Sequence, residues 1–94
     1  MQWSMAIVRF SSHLHRHLEL PGEVRAGGTN VRSTLDEVFA GSPKLAGYVL
    51  DDQRSLRQHV VVFVDGQMIR DRKHLTDAVA ADSEIYVMQA LSGG

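Results

Sequence analysis

The sequence predicts an α+β fold, a mixed sheet of about five strands packed against one main helix. Three observations carry this. Ala6-Ile7-Val8-Arg9-Phe10 and His59-Val60-Val61-Val62-Phe63-Val64 are short, β-branched runs. Val31, Leu35, Val38 and Phe39 recur at the spacing of one helical face. Asp65-Gly66 separates two strand-like runs, and this dipeptide suits a two-residue type I′ turn, where both central residues need positive φ. With 94 residues, the chain has room for one domain and one modest core, because chains of this size bury little more than about 60% of their unfolded surface.

The elements follow in order. Ala6 to Phe10 is apolar on both alternating sets, as expected of a strand inside a sheet, and Ser11-Ser12 ends it. The stretch His13 to Leu18 has two readings, because Leu14 and Leu18 share a face both on a helical turn and on a strand. Either way both leucines point inward. Pro21-Gly22 turns the chain into a second strand, Glu23 to Ala26, extended in one reading by Leu18 to Leu20 and antiparallel to the first. After the breaker Gly27-Gly28-Thr29, Asn30 is placed to accept the free amides of a helix over Val31 to Ala40. Arg32, Asp36 and Glu37 are expected to face water, and Gly41-Ser42-Pro43 stops the helix. From Lys44 to Ser55, Leu45, Val49 and Leu50 fit a helical turn, while Tyr48-Val49-Leu50 and Leu56-Arg57 fit a small hairpin across Asp51-Asp52; both stay open. His59 to Val64 is the strongest strand and Gln67 to Arg70 its returning partner. Arg72 to Ala81 is a connection anchored by Leu75 and Val79, and Asp82-Ser83 leads into the last strand.

A right-handed path through one helix lets the first and last strands lie parallel in the middle of the sheet, which is the β-grasp arrangement. One short helix covers one face only. The apolar residues on the other face, within Val60 to Val64 and Tyr86 to Ala90, are therefore expected to be partly exposed, and such a patch suits a partner. Phe63 and Tyr86 are expected to lean towards the core, as strand aromatics usually do. Met88 fits a core gap and the open face equally well.

Composition removes whole classes of function. The formal net charge is -1, with ten basic residues scattered among eleven acidic ones, which leaves no electrostatic footprint for nucleic acid or an anionic membrane. Cysteine is absent, so disulfides, thiolate metal ligands and Cys nucleophiles are excluded. The start has no secretory-signal pattern, and no run approaches the roughly 18 apolar residues of a membrane span, so a cytoplasmic protein is expected. Met5 is an alternative start, with Met1 to Ser4 as a loose extension.

Independent catalytic sites find little support. His13, His15 and His17 would line up three imidazoles on a strand, but nothing in the sequence completes a metal shell, and a helical turn would join only His13 and His17. A solvated polar face is the better reading, and no metal is expected. His59 and His74 have no acid or nucleophile at a diagnostic spacing. Asp51-Asp52 reads as a turn, and Gly27-Gly28 lacks the lysine and second glycine of a phosphate loop.

The end of the chain carries the functional signal. An apolar run, Ile85-Tyr86-Val87-Met88, leads through Gln89-Ala90-Leu91-Ser92 into Gly93-Gly94, a pair expected by chance at a given place only about 0.5% of the time. Without Cβ atoms such a tail can enter a channel too narrow for ordinary residues. A terminal carboxylate, ionised at neutral pH because its ordinary pKa is about 3.3 to 3.7, can attack the α-phosphate of a nucleotide once a partner positions both.

This tail, together with His59 to Gly66 and Asp82 to Val87, resembles the MoaD/ThiS family of ubiquitin-like sulfur carrier proteins over about Met5 to Gly94. The resemblance implies the β-grasp fold in residues 5–90, a flexible N-terminal extension in 1–4 and a flexible tail in 91–94. It also implies a carrier rather than an enzyme, with Gly94 and Gly93 as the carrier terminus. Small Ser92 and Ala90 suit passage into a channel, Leu91 suits anchoring to the partner, and Met88 stands where the family often carries an apolar residue on the open face. The implied partners are a ubiquitin-activating-type adenylyltransferase that uses ATP-Mg, a persulfide (rhodanese-type) sulfur donor and an acceptor synthase. No cofactor bound by the chain itself is implied. The small subunit of molybdopterin synthase is favoured among acceptor contexts, beside thiamine and cysteine pathways. Two other readings stand beside it: a modifier joined to lysines through Gly94, and a non-covalent β-grasp interaction module.

Overall fold

The computed structural model describes residues 5–12, 14, 18 and 20–89. The N-terminal extension, His13, His15 and His17, and the tail from Ala90 to Gly94 lie outside the described residues. Strands β1 (Ala6–Phe10), β2 (Glu23–Ala26), β3 (Val60–Val64), β4 (Gln67–Met68) and β5 (Glu84–Gln89) accompany helices α1 (Val31–Ala40) and α2 (Pro43–Val49). The strands form one sheet in the order β2-β1-β5-β3-β4. The first and last strands of the chain sit side by side and parallel, while every other pairing is antiparallel. This is the expected mixed α+β, β-grasp sheet.

Period-two alternation decides which side chains reach the core. Val8, Val62, Ile85 and Val87 are fully or almost fully buried and cluster with Val31, Leu35, Val38 and Phe39 of α1 and Leu45 and Val49 of α2. Each such burial stabilises the fold by about 1.5 to 3 kcal/mol relative to exposure. Leu14, Leu75 and Val79 are buried in the same cluster, as the sequence led us to expect.

Helix α1 begins where the sequence places it. Asn30 Oδ1 accepts from the Ser33 amide at 2.8 Å, and Ser33 Oγ accepts from the Asn30 amide at 3.3 Å, a reciprocal capping box. The Val31 and Arg32 amides donate to the carbonyls of Asp77 and Leu75, both at 2.9 Å. The connection 70–79 is thereby tied to the start of the helix. Gly28 is required by proximity: a Cβ there would lie 2.4 Å from Thr34 Oγ1 and 2.7 Å from the Thr34 amide nitrogen.

Several local expectations are corrected. Arg32 does not simply face water: its Nε donates to the His74 carbonyl at 3.2 Å and its Nη2 to the Arg54 carbonyl at 2.8 Å. A long stem let the guanidinium reach acceptors that the loops offered. Asp36 pairs with Arg54. Of the two readings left open between Lys44 and Ser55, the helical one prevails: α2 takes up Tyr48 and Val49, and of the hairpin only a single bridge, Leu50 to Leu56, forms. Leu18 donates its amide to the Leu14 carbonyl at 3.0 Å, an i→i+4 bond of helical type, so Leu18 does not extend β2.

The hairpin also differs at its ends. Asp65 and Gly66 both have positive φ, 50° and 85°, as a type I′ turn demands. The third strand starts at Val60, not His59, since the Val60 amide closes a turn onto the Arg57 carbonyl. The returning strand stops at Met68 because the Asp77 carboxylate takes the amides of Arg70 and Asp71 and draws the chain away.

Candidate functional site

The site is organised by β5, the strand that runs towards the C-terminal residues. Its place between β1 and β3 gives it two hydrogen-bonding neighbours, so its course is fixed along its length. Asp65 secures the beginning. The Asp65 carboxylate accepts from the Glu84 amide and from Ser83 Oγ, both at 2.9 Å, and the Asp65 amide donates to the Glu84 carbonyl at 2.8 Å. One turn residue thus closes the β3–β4 hairpin and starts the central strand.

Along β5, Ile85 and Val87 face the core, while Glu84, Tyr86 and Met88 take the alternate positions on the open face. Phe63 and Tyr86 are therefore not core residues: Phe63 is half-buried and Tyr86 is 37% exposed. Their positions follow from register, because Val62 and Val87 occupy the inward sites and send their neighbours outward. A single row crosses all five strands through Met68, Phe63, Tyr86, Arg9 and Glu23. Its first three members are apolar. The other end carries charge, with Arg9 Nη1 3.2 Å from Glu23 and Arg9 Nε 2.8 Å from Glu84. Met88 stands opposite Val61 in the adjacent row, both half-buried.

Met88 is thus the only interface residue proposed from the sequence that the described residues include, and it lies on the open face beside Tyr86. Ala90, Leu91, Ser92, Gly93 and Gly94 fall outside them. Sequence reading missed Met68, which is 54% exposed at the apolar end of the row. The short spacing across Asp65-Gly66, which sets Phe63 against Met68, was the available signal.

At the other end of β5, Gln89 takes the position that continues the Ile85, Val87 face. The Tyr48 hydroxyl, from α2, donates to Gln89 Oε1 at 2.8 Å. His59 meets the Tyr48 ring edge-on, with ring centroids 5.1 Å apart and planes at 89°.

Elsewhere among the described residues, several chemistry-bearing groups hold the fold. An open groove of about 590 Å³ lies between α1, α2 and the turn after Leu50. Within it Arg54 pairs with Asp36, Arg57 donates to the Gly47 carbonyl, and Asp51 accepts the Gln53 and Ser55 amides. Asp71 accepts from the backbone amide of His74, the Thr76 hydroxyl and further backbone amides, which hold its carboxyl down at about 2. That carboxylate is a loop brace. Among the described residues no group of three or more His, Asp or Glu side chains is placed to hold a metal ion, and no helix is long and apolar enough to cross a membrane.

Comparison with known proteins follows the same geometry. The fold matches SAMP1 from Haloferax volcanii with a TM-score of 0.79 and 24% identity, covering 96% of this chain and 99% of that one. It matches a chain in the BexX/CysO complex of Amycolatopsis orientalis with a TM-score of 0.80 and 20% identity, over 95% and 99% of the two chains. Urm1 from Trypanosoma brucei gives a TM-score of 0.71 and 16% identity, over 100% and 99%. No curated protein matches the sequence significantly. The sequence does match the ThiS family over residues 16–94, through the final glycine, and this chain, with its ubiquitin-like β-grasp sheet, belongs to that family.

Proposed function

We propose that the protein is a cytoplasmic sulfur carrier whose Gly94 carboxylate is the chemical handle. The single observation that supports this most is the family match that extends to Gly93-Gly94, downstream of a central strand secured at both ends. In this reading an adenylyltransferase of the ubiquitin-activating type binds the carrier and draws the slim tail into its site. The Gly94 carboxylate attacks the α-phosphate of ATP-Mg, forming the acyl-adenylate and releasing pyrophosphate. A persulfide sulfur then displaces AMP, and a thiol cleaves the resulting acyl disulfide to leave the thiocarboxylate. The chain contributes no catalytic group. Its residues bind and orient: Leu91 and Met88 contact the partner, while Ala90 and Ser92 keep the approach narrow.

An acceptor synthase takes up the sulfur, and the preferred form of the reading is the small subunit of a molybdopterin synthase. Co-purification with a large synthase subunit supports that form; a thiazole synthase or a cysteine-synthase homologue in its place points to the other acceptors. The direct test of the carrier reading compares the intact chain with one lacking Gly93 and Gly94. The intact protein is expected to support ATP–pyrophosphate exchange by its activating enzyme and the truncated one to support none. Equal exchange by both rejects the reading.

A second reading is favoured by one observation, that a structural neighbour is described as a small archaeal modifier protein. It uses the same adenylation but ends in an isopeptide bond between Gly94 and a lysine. A ladder of covalent adducts that survives denaturation and reductant distinguishes it.

A further inference from the structure

We infer that Tyr48 is a positioning residue for the carrier terminus, acting through Gln89 to fix the end of β5; this rests on the carrier reading. The argument begins with alternation. Ile85 and Val87 fill the core-facing positions of β5 with aliphatic side chains, and the next such position is the carboxamide of Gln89. At the edge of the core an aliphatic side chain would be only half covered. A carboxamide offers an acceptor instead, and α2 brings the Tyr48 hydroxyl to it at 2.8 Å.

Tyr48 is itself held. Its ring stands on the last turn of α2 and meets His59 edge-on at 5.1 Å. His59 immediately precedes Val60, which is the ladder partner of Gln89. Gln89 and the segment that leads into its ladder partner Val60 are thus both tied to Tyr48. Asp65 performs the corresponding task at the strand's beginning. The consequence concerns conformational freedom: every residue freed at the end of β5 must be ordered once more when a partner binds there.

Two measurements on Tyr48→Phe, Gln89→Leu and the double variant test this. Phe keeps the ring and its packing and removes only the hydroxyl. In the isolated protein, backbone amide exchange at Met88 and Gln89 is expected to quicken in Tyr48→Phe while the unfolding midpoint stays close to wild type. Unchanged exchange at these two amides overturns the inference. In ATP–pyrophosphate exchange, each single variant is expected to raise KM for the carrier about threefold to tenfold, the worth of one hydrogen bond, with kcat little altered. The double variant should lose less than the sum of the two single ones, because both remove the shared link. Additive losses, or wild-type KM in Tyr48→Phe, also overturn it. If the wild-type chain is not adenylated at all, the carrier reading falls, and the amide-exchange result alone then decides the clasp.

Discussion

At the scale of single residues, the functional groups of this chain are mostly commitments to geometry. Asp71 accepts four donors within one loop: the amides of Lys73, His74 and Thr76 and the Thr76 hydroxyl. Its folded pKa, about 2 against an ordinary 3.8, makes the loop pH-sensitive. Because the folded value is depressed, the stability it contributes is complete above 3.8 and drains away as pH falls through about 2. Acid titration followed by circular dichroism should therefore show Asp71→Asn less stable at neutral pH and less affected than wild type between those two values. Gly28→Ala forces a Cβ onto Thr34 and is expected to cost about 1 to 3 kcal/mol in denaturant unfolding, as overpacking does. The sequence showed Gly28 as a breaker but not the reason for it, since the clash is with a residue placed there by the folded helix. Arg32 was misread for a related reason: helical spacing puts it on the outer face, but only the folded loops bring the His74 and Arg54 carbonyls within its reach.

At the scale of elements, legibility depended on whether the deciding interactions were local. The bounds of α1 were readable to the residue because the capping box and the Gly41 stop lie within the segment itself. Asn30→Ala removes that cap and is expected to destabilise the protein by about 1 kcal/mol, measurable as a lowered melting temperature. The Asp65-Gly66 turn was readable on the same ground, since its two positive φ values are a property of the dipeptide. The length of β4 was not, because it is ended by Asp77, which lies outside the hairpin in the following connection. Nor was the side of the sheet taken by Phe63 and Tyr86. A one-residue shift of register exchanges the two faces of a strand, and propensity alone assigns aromatics inward; the aliphatic Val62 and Val87 took the core positions instead.

At the scale of the whole molecule, the parts serve one arrangement: α1 and α2 lie against one face of a sheet whose central strand is fixed by Asp65 at its start and met by Tyr48 at its end. The other face offers Met68, Phe63 and Tyr86 in one row. The fold class and the ThiS-family membership were legible from strand order and the Gly-Gly end, which are global patterns that tolerate local errors. The partner-side details were not, because they depend on which residues a second protein would touch. The central claim is that Gly94 carries sulfur, and intact mass spectrometry of the protein after incubation with its activating enzyme, ATP-Mg and a persulfide donor tests it most directly. The account predicts a species in which one sulfur has replaced one oxygen, located at Gly94 and absent when Gly93 and Gly94 are deleted. A chain that binds the activating enzyme and ATP yet never gains sulfur, or whose native form continues unprocessed beyond Gly94, would contradict it.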